Sequence, residues 1–307
     1  MATPLSNTQS PSSRPGWSLP HKVRRVIAIL LTLLAIAILG GMVYTNWNSL
    51  RTFEWKVRPI LLIGSFLAYT VYVGLAAFTW GRILRTLGST SSWKQHFRIY
   101  YISTLANRLP LPFGHIAGRL LLYDERTSKT TVSFASALEL SLIALAGITI
   151  GGVFRPKSIL YLDWWVGIPA ILLGLTIVHP RVLKPLLSYL KVHGSYELRY
   201  IHTINWLLFY FLIWMVGGVA LYLMIISFYP LNFIGLPNVI GAWCLSGSVA
   251  ILMVFLPVGL GLRELTLGLL LSSILPPGIS ALIAILSRIL FTIFEIVLAG
   301  IASYLKD

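Results

Sequence analysis

Apolar runs long enough to cross a bilayer, about 20 residues each, alternate with short polar stretches along the chain. They fall at 26–44, 59–80, 130–154, 159–178, 201–226 and 279–304. Two further apolar regions are interrupted: 93–123 breaks at LPLPFG (109–114), and 238–275 breaks at LPVGLG (256–261). A proline has no backbone N–H and clashes with the preceding turn, so each helix is expected to stop there. Segments 238–256 and 262–275 therefore read as separate helices. The pattern predicts an all-α polytopic membrane protein with about six full spans plus two broken, re-entrant helical hairpins.

Composition agrees. The chain has 307 residues, 57% of them hydrophobic and 11% charged, with a mean hydropathy of +0.82. A soluble domain cannot bury that much apolar surface, whereas a bilayer can. No polar block reaches the ~50 residues a separate soluble domain needs. Residues 1–20, rich in Ser, Pro and Thr, read as a disordered tail, and 21–305 as one transmembrane domain. The 19-residue run from Val26 to Tyr44 follows His21, Lys22, Arg24 and Arg25. It is too long for a signal-peptide core and has no small-residue cleavage site after it, so it reads as a retained first span. The one cysteine, Cys244, allows neither an internal disulfide nor a Cys-based metal site. No metal or other cofactor is expected.

The formal net charge of +15 belongs to cytoplasmic loops that meet anionic lipid, as the positive-inside rule requires. No basic domain with interleaved aromatics points to nucleic acid. His21 to Arg25 place the N-terminus in the cytoplasm. Arg82, Arg85 and Lys94, then Arg126 and Lys129, then Arg181, Lys184, Lys191 and Arg199 fall on the same side if each interrupted region enters and leaves by one face. Lys306 then also ends inside. Arg51, Lys56, Arg58, Arg155 and Lys157 blur the bias on the other side.

This topology has the first hairpin dipping in from the cytoplasm and the second from outside. Their sequences match in outline. Pro112-Phe113-Gly114 leads to Arg119 and a Leu-Leu-Leu run; Pro257-Val258-Gly259 leads to Arg263 and Leu269–Leu271. Broken elements entering from opposite faces, in corresponding positions of two halves, are the pattern of inverted-repeat transporters. Irregular backbone at membrane depth is tolerated only where protein buries it or it lines a wet cavity. The helix after a break presents free N–H groups that favour an anion, and an Arg about one turn in adds a full charge. Gly114, Gly118, Gly259 and Gly261 let that backbone approach a ligand.

Three of the nine acidic residues lie in apolar segments: Glu139, Glu264 and Glu295. Their basic counterparts are Arg119, Arg263 and Arg288. A charge at the bilayer centre costs at least ~2.5–3.5 kcal/mol, which makes each one a functional candidate. Arg263 and Glu264 are neighbours in sequence and point about 100° apart on a helix. Arg288 and Glu295 are two turns apart. Each therefore needs a partner on another element, as in Arg119 with Glu139 or Glu295 with Arg263; structural pairs that fix helix packing are the alternative. Arg119, Arg263, Glu139 and Glu264 are the candidate substrate-binding residues, with His115 inside the first break as a weaker one. Arg288, Glu295, Pro112 and Pro257 are assigned structural or coupling roles. Asn107 and Arg108 cap or line the first break.

The remaining signals are weaker. His96, His179, His193 and His202 have no metal-ligand spacing. Trp47, Trp55, Trp93, Trp164, Trp165 and Trp206 read as interfacial anchors, and Gly151-Gly152 and Gly217-Gly218 as sites of close helix packing. No GxxxxGK loop, GxSxG elbow or HExxH pair appears, so an enzyme is not expected.

The stretches NRLPLPFGHIAGRLLLYDERTSKTTVSFASALELSLIAL and FLPVGLGLRELTLGLLLSSILPPGISALIAILSRILFTIFEIVLAGIA resemble the two motif regions of the lysylphosphatidylglycerol synthase transmembrane-region family, the flippase-like domain proteins. Gly118-Arg119, Glu139, Gly259, Gly261, Arg263-Glu264, Arg288 and Glu295 take that family's motif positions. Val258 stands where the family usually has Gly, and His115 and Ala117 vary the first break. The resemblance spans about residues 20–305. It implies a multi-span protein of a bacterial or archaeal cytoplasmic membrane that handles phospholipids or lipid-linked anions. The soluble aminoacyl-transferase domain of the larger synthases has no counterpart here, so synthesis of lysylphosphatidylglycerol is not expected.

The expected function is a lipid translocase that moves an anionic phospholipid or lipid-linked phosphate between leaflets. The alternative is an auxiliary membrane subunit that presents lipid to a partner glycosyltransferase or lipid synthase. An intramembrane lipid-modifying enzyme is a third reading, with no activated nucleophile in the sequence to support it.

Overall fold

The computed structural model describes residues 21–106, 113–154, 168–169, 172, 176, 179–189, 199–253 and 261–304, and within these leaves aside the side chains of 21–29, 31, 49, 180, 184, 186 and 187. Every regular element among them is helical. In chain order these are α1 (His21–Thr45), α2 (Trp47–Thr52), α3 (Pro59–Thr86), α4 (Trp93–Leu105), α5 (Gly114–Leu122), α6 (Lys129–Val153), α7 (Pro180–Tyr189), α8 (Tyr200–Phe228), a 3₁₀ turn (Phe233–Gly235), α9 (Leu236–Leu252), α10 (Leu262–Leu271) and α11 (Pro277–Ser303).

Local chemistry sets the ends. Pro59 opens α3 and Pro277 opens α11, where a missing N–H costs nothing. The Ser92 and Ser128 hydroxyls cap α4 and α6, accepting from the Gln95 and Thr131 N–H groups at 3.1 Å. Helix α3 closes on Gly88 at φ +88°. There the Gly88 N–H reaches the Arg85 carbonyl and the Ser89 N–H the Leu84 carbonyl, a Schellman ending that only glycine adopts without strain.

Five described helical segments are long and apolar enough to cross a membrane: Pro59–Thr86, Lys129–Val153, Tyr200–Phe228, Phe233–Leu252 and Pro277–Ser303. The protein is a helical membrane protein. Four of the five match expected spans. The expected first span, 26–44, lies within α1 (His21–Thr45). The expected span at 159–178 lies almost wholly outside the described residues. The fifth segment was expected as one limb of a hairpin. It gains length because the 3₁₀ turn and Leu236-Pro237 extend it toward Phe233.

The interior is a bundle of α3, α6, α8 and α9. Helix α3 runs antiparallel to α8, joined by Ser65 Oγ donating to the Ala220 carbonyl at 2.8 Å and by Arg58 N–H donating to the Ser227 carbonyl at 2.9 Å. Helix α9 packs on α6 and α8, with Gly151 against Leu245 and Gly218 against Ile240. Trp206, expected at the membrane edge, is instead buried in this core, whereas Trp47 and Trp55 are exposed.

Polar contacts between turns show which helix ends share a face. The turn after α3 is tied to the turn after α5: Thr90 N–H donates to the Arg126 carbonyl at 3.3 Å, and the Ser91 and Thr127 hydroxyls lie 2.9 Å apart. Ser89 also bonds Thr127. The pair α4–α5 therefore leaves and returns at one face. At 13 and 9 residues, its limbs rise only about 20 and 14 Å, short of the ~30 Å hydrocarbon layer. At the other end of α3, Phe53 stacks on Tyr229 at 5.4 Å, and Gly278 at the start of α11 lies against Asn46 and Leu50. The ends of α1 and α8 and the starts of α3 and α11 thus share the opposite face, and α9–α10 leaves and returns there.

A Cβ on Gly218 would sit 2.8 Å from the Ile240 Cα, whereas one on Gly40 or Gly300 meets nothing within 4 Å. Gly218→Ala is expected to lower unfolding stability in detergent by about 1–3 kcal/mol, with Gly40→Ala and Gly300→Ala unchanged. A thermal denaturation series checks the difference.

Candidate functional site

Each short helix begins after a residue in an unusual conformation: Phe113 at φ +56° before α5, and Gly261 at φ +102° before α10. The two starts are not equivalent to the Pro-x-Gly match in the sequence. Helix α5 begins at Gly114 itself, while α10 begins three residues beyond Gly259. Arg263 is consequently the second residue of α10, and Arg119 lies in the last turn of α5. The two arginines therefore do not share the expected place one turn in: Arg263 is within the first turn of α10, and Arg119 is about one and a half turns into α5. Pro112, Pro257, Val258 and Gly259, with Asn107 and Arg108, lie outside the described residues.

Arg119 is enclosed on every side that its neighbours define. It is 2% exposed and forms an ion pair with Glu139 on α6. Its Nε donates to Ser103 Oγ at 3.3 Å. Its guanidinium lies over the Trp80 ring at 3.9 Å and the Tyr100 ring at 4.7 Å. Tyr100 Oη donates to the second Glu139 oxygen at 3.1 Å. Glu139 is ten residues into α6, about 15 Å along it, where an unpaired carboxylate would be costly. Trp80 in turn donates its indole N–H to Tyr123 Oη at 3.0 Å, which stands 2.8 Å from His96 Nδ1. This is a buried ion pair set in an aromatic cage.

Around it, Gly118 passes the Ser103 Cβ with room for little more than a methyl group, which brings α5 close to α4. Gly114 and His115, in the first turn of α5, are both buried. His115 Nδ1 has no hydrogen-bond partner among the described residues.

The second break is built differently. Glu264, in the first turn of α10, accepts from the Gly261 N–H at 3.0 Å on one oxygen and from Arg288 Nη1 at 2.7 Å on the other. One carboxylate caps α10 and fastens it to α11. A Cβ on Gly261 would come 2.9 Å from Ala35 Cβ, near the middle of α1, so the start of α10 lies deep along that helix. Arg263 points elsewhere. Its guanidinium lies 4.4 Å from the Trp243 ring, it is partly exposed, and it makes no hydrogen bond or ion pair with a described residue.

Of the expected pairings, Arg119 with Glu139 is present and Glu295 with Arg263 is not. Glu295 accepts from Tyr69 Oη instead, and Tyr69 stacks on Phe291 at 4.4 Å. Sequence reasoning passed over Trp80, Tyr100, Ser103, Tyr69 and Trp243. Neither tryptophan carried a signal of this role: Trp80 ends the expected span 59–80 beside Arg82, and Trp243 inside an apolar segment is equally compatible with core packing.

No family model matches the chain, and no curated protein matches its sequence.

The two arginines are expected to differ in what they do for stability. Glu139→Gln, which leaves Arg119 buried and unpaired, should cost about 3–5 kcal/mol. Arg263→Gln should cost about 1 kcal/mol, the scale of a cation–π contact. Unfolding midpoints of the two variants in one detergent compare them.

Proposed function

We propose that this protein is a lipid translocase that carries an anionic headgroup between leaflets while the acyl chains remain in the bilayer. One observation carries the reading: two helical hairpins, α4–α5 with two short limbs and α9–α10 with one, leave and return at opposite ends of the bundle, and each carries an Arg or Glu on its short helix into a contact with the long helix that follows. A static structural role needs no such opposition. Alternating access does, because a site reached from either face requires a gate at each. The two halves are read as an inverted repeat, with α3–α6 and α8–α11 as counterparts. The resemblance to flippase-like domains in both motif regions supports the same reading.

Within it, Arg263 takes the headgroup anion, with the α10 N-terminus behind it. Arg119 does not bind the anion, because Glu139 already neutralises it; that pair is the firm wall against which the second half moves. Glu264 holds the α10 start in place through Gly261 and Arg288. The membrane is the cytoplasmic membrane of a bacterium or archaeon, with both termini inside.

In proteoliposomes with fluorescent phosphatidylglycerol, the wild-type protein should expose inner-leaflet probe to an external quencher. Arg263→Ala, folded by its unfolding midpoint, should reduce that rate to the protein-free level. Transport at the wild-type rate by folded Arg263→Ala contradicts the assignment. No transport by folded wild-type protein contradicts translocation and favours an auxiliary subunit that presents lipid to a partner enzyme.

A further inference from the structure

We infer that Arg263 selects lipids by charge number, binding a headgroup with a single negative charge shared over two oxygens, a phosphodiester or a carboxylate, in preference to a dianionic phosphomonoester. The inference deepens the translocase reading and rests on it for its biological sense.

The two arginines provide the comparison. Each lies on a tryptophan face, Arg119 on Trp80 and Arg263 on Trp243. The Arg119 cage is complete: a carboxylate faces the guanidinium, a hydroxyl takes its Nε, and a second ring covers it. Among the described residues, the Arg263 cage has only its tryptophan. The anion of the first cage is a carboxylate, with one oxygen on the Arg119 guanidinium and the other on Tyr100 Oη; no described carboxylate forms an ion pair with Arg263, whose fork suits a monoanion that shares its charge over two oxygens. Phosphodiesters and carboxylates present that group.

The charges nearby support one unit rather than two. Glu264 adjoins Arg263 in sequence, yet its oxygens are taken up by Gly261 N–H and Arg288. The Glu264–Arg288 pair is neutral in sum and leaves Arg263 with one positive charge. A monoanion there is fully compensated. A dianion carries a surplus charge at membrane depth, which is penalised.

The test is equilibrium binding of radiolabelled dioleoylphosphatidylglycerol to the full chain in detergent. Unlabelled dioleoylphosphatidylglycerol, oleate and dioleoylphosphatidate compete at a pH of about 9, well above the second ionisation of a phosphomonoester. At least one monoanion should compete at a tenfold lower concentration than the phosphatidate, and which one does identifies the source of the oxyanion. Arg263→Gln should weaken phosphatidylglycerol binding at least tenfold. Glu264→Gln, which releases the Arg288 charge, should shift the ratio toward phosphatidate. The wild-type ratio needs no variant: phosphatidate competing as well as or better than both monoanions overturns the inference. Selective binding without transport in proteoliposomes would leave the inference standing and remove the translocase reading.

Discussion

Hydrocarbon offers no hydrogen bonds, so a helix that breaks inside a bilayer must find partners for its freed backbone groups within the protein. At the second break Glu264 meets that demand directly. Its carboxylate takes the Gly261 N–H and the Arg288 guanidinium together, which satisfies one N–H at the start of α10, neutralises a half-buried cation and fixes the short helix to α11. The left-handed turn at Gly261 and the close approach to Ala35 follow from the same arrangement. A Cβ at that position would meet both an unfavourable φ and a neighbouring side chain.

The first half distributes its charges in the reverse order. There the short helix carries the Arg and the following long helix the Glu; in the second half the short helix carries the Glu and the long one the Arg. Both pairs join a short helix to the long helix that follows it, so both short helices are fixed at their C-terminal neighbour. The difference lies in what remains. The first half closes on itself, with Arg119 between Trp80 and Tyr100. The second half has an additional cation, Arg263, on an aromatic face. Desolvating a charge is costly unless it is compensated, and an Arg that stays partly exposed beside a break is placed to obtain its compensation from a ligand.

Much of this architecture was legible in the chain, because it follows from period-independent signals. Apolar runs bounded by Pro59, Ser128 and Pro277 mark helices whatever their partners. The sharing of faces was legible through Arg82, Arg85, Arg126 and Lys129, and the Thr90–Arg126 contact accounts for it physically. The pairing of charges was only half legible. Glu139 and Arg119 lie 20 residues apart, across a turn that brings their helices together. Glu295 and Arg263 had opposite signs but no local geometry to join them, and Glu295 meets Tyr69. The aromatic faces under the arginines were not legible, because a Trp in an apolar run is equally compatible with core packing, as Trp206 demonstrates.

The opposite faces of the two hairpins bear most directly on the whole account. Cysteines placed one at a time in a Cys244→Ala background, at Thr90 and Asp124 in the first pair of turns and at Ile234 and Pro276 in the second, report it through a membrane-impermeant maleimide. All four positions are exposed. In sealed vesicles of known orientation, Thr90→Cys and Asp124→Cys should label from one side, and Ile234→Cys and Pro276→Cys from the other. Labelling of Thr90→Cys and Asp124→Cys from different sides, or of all four from the same side, would contradict it.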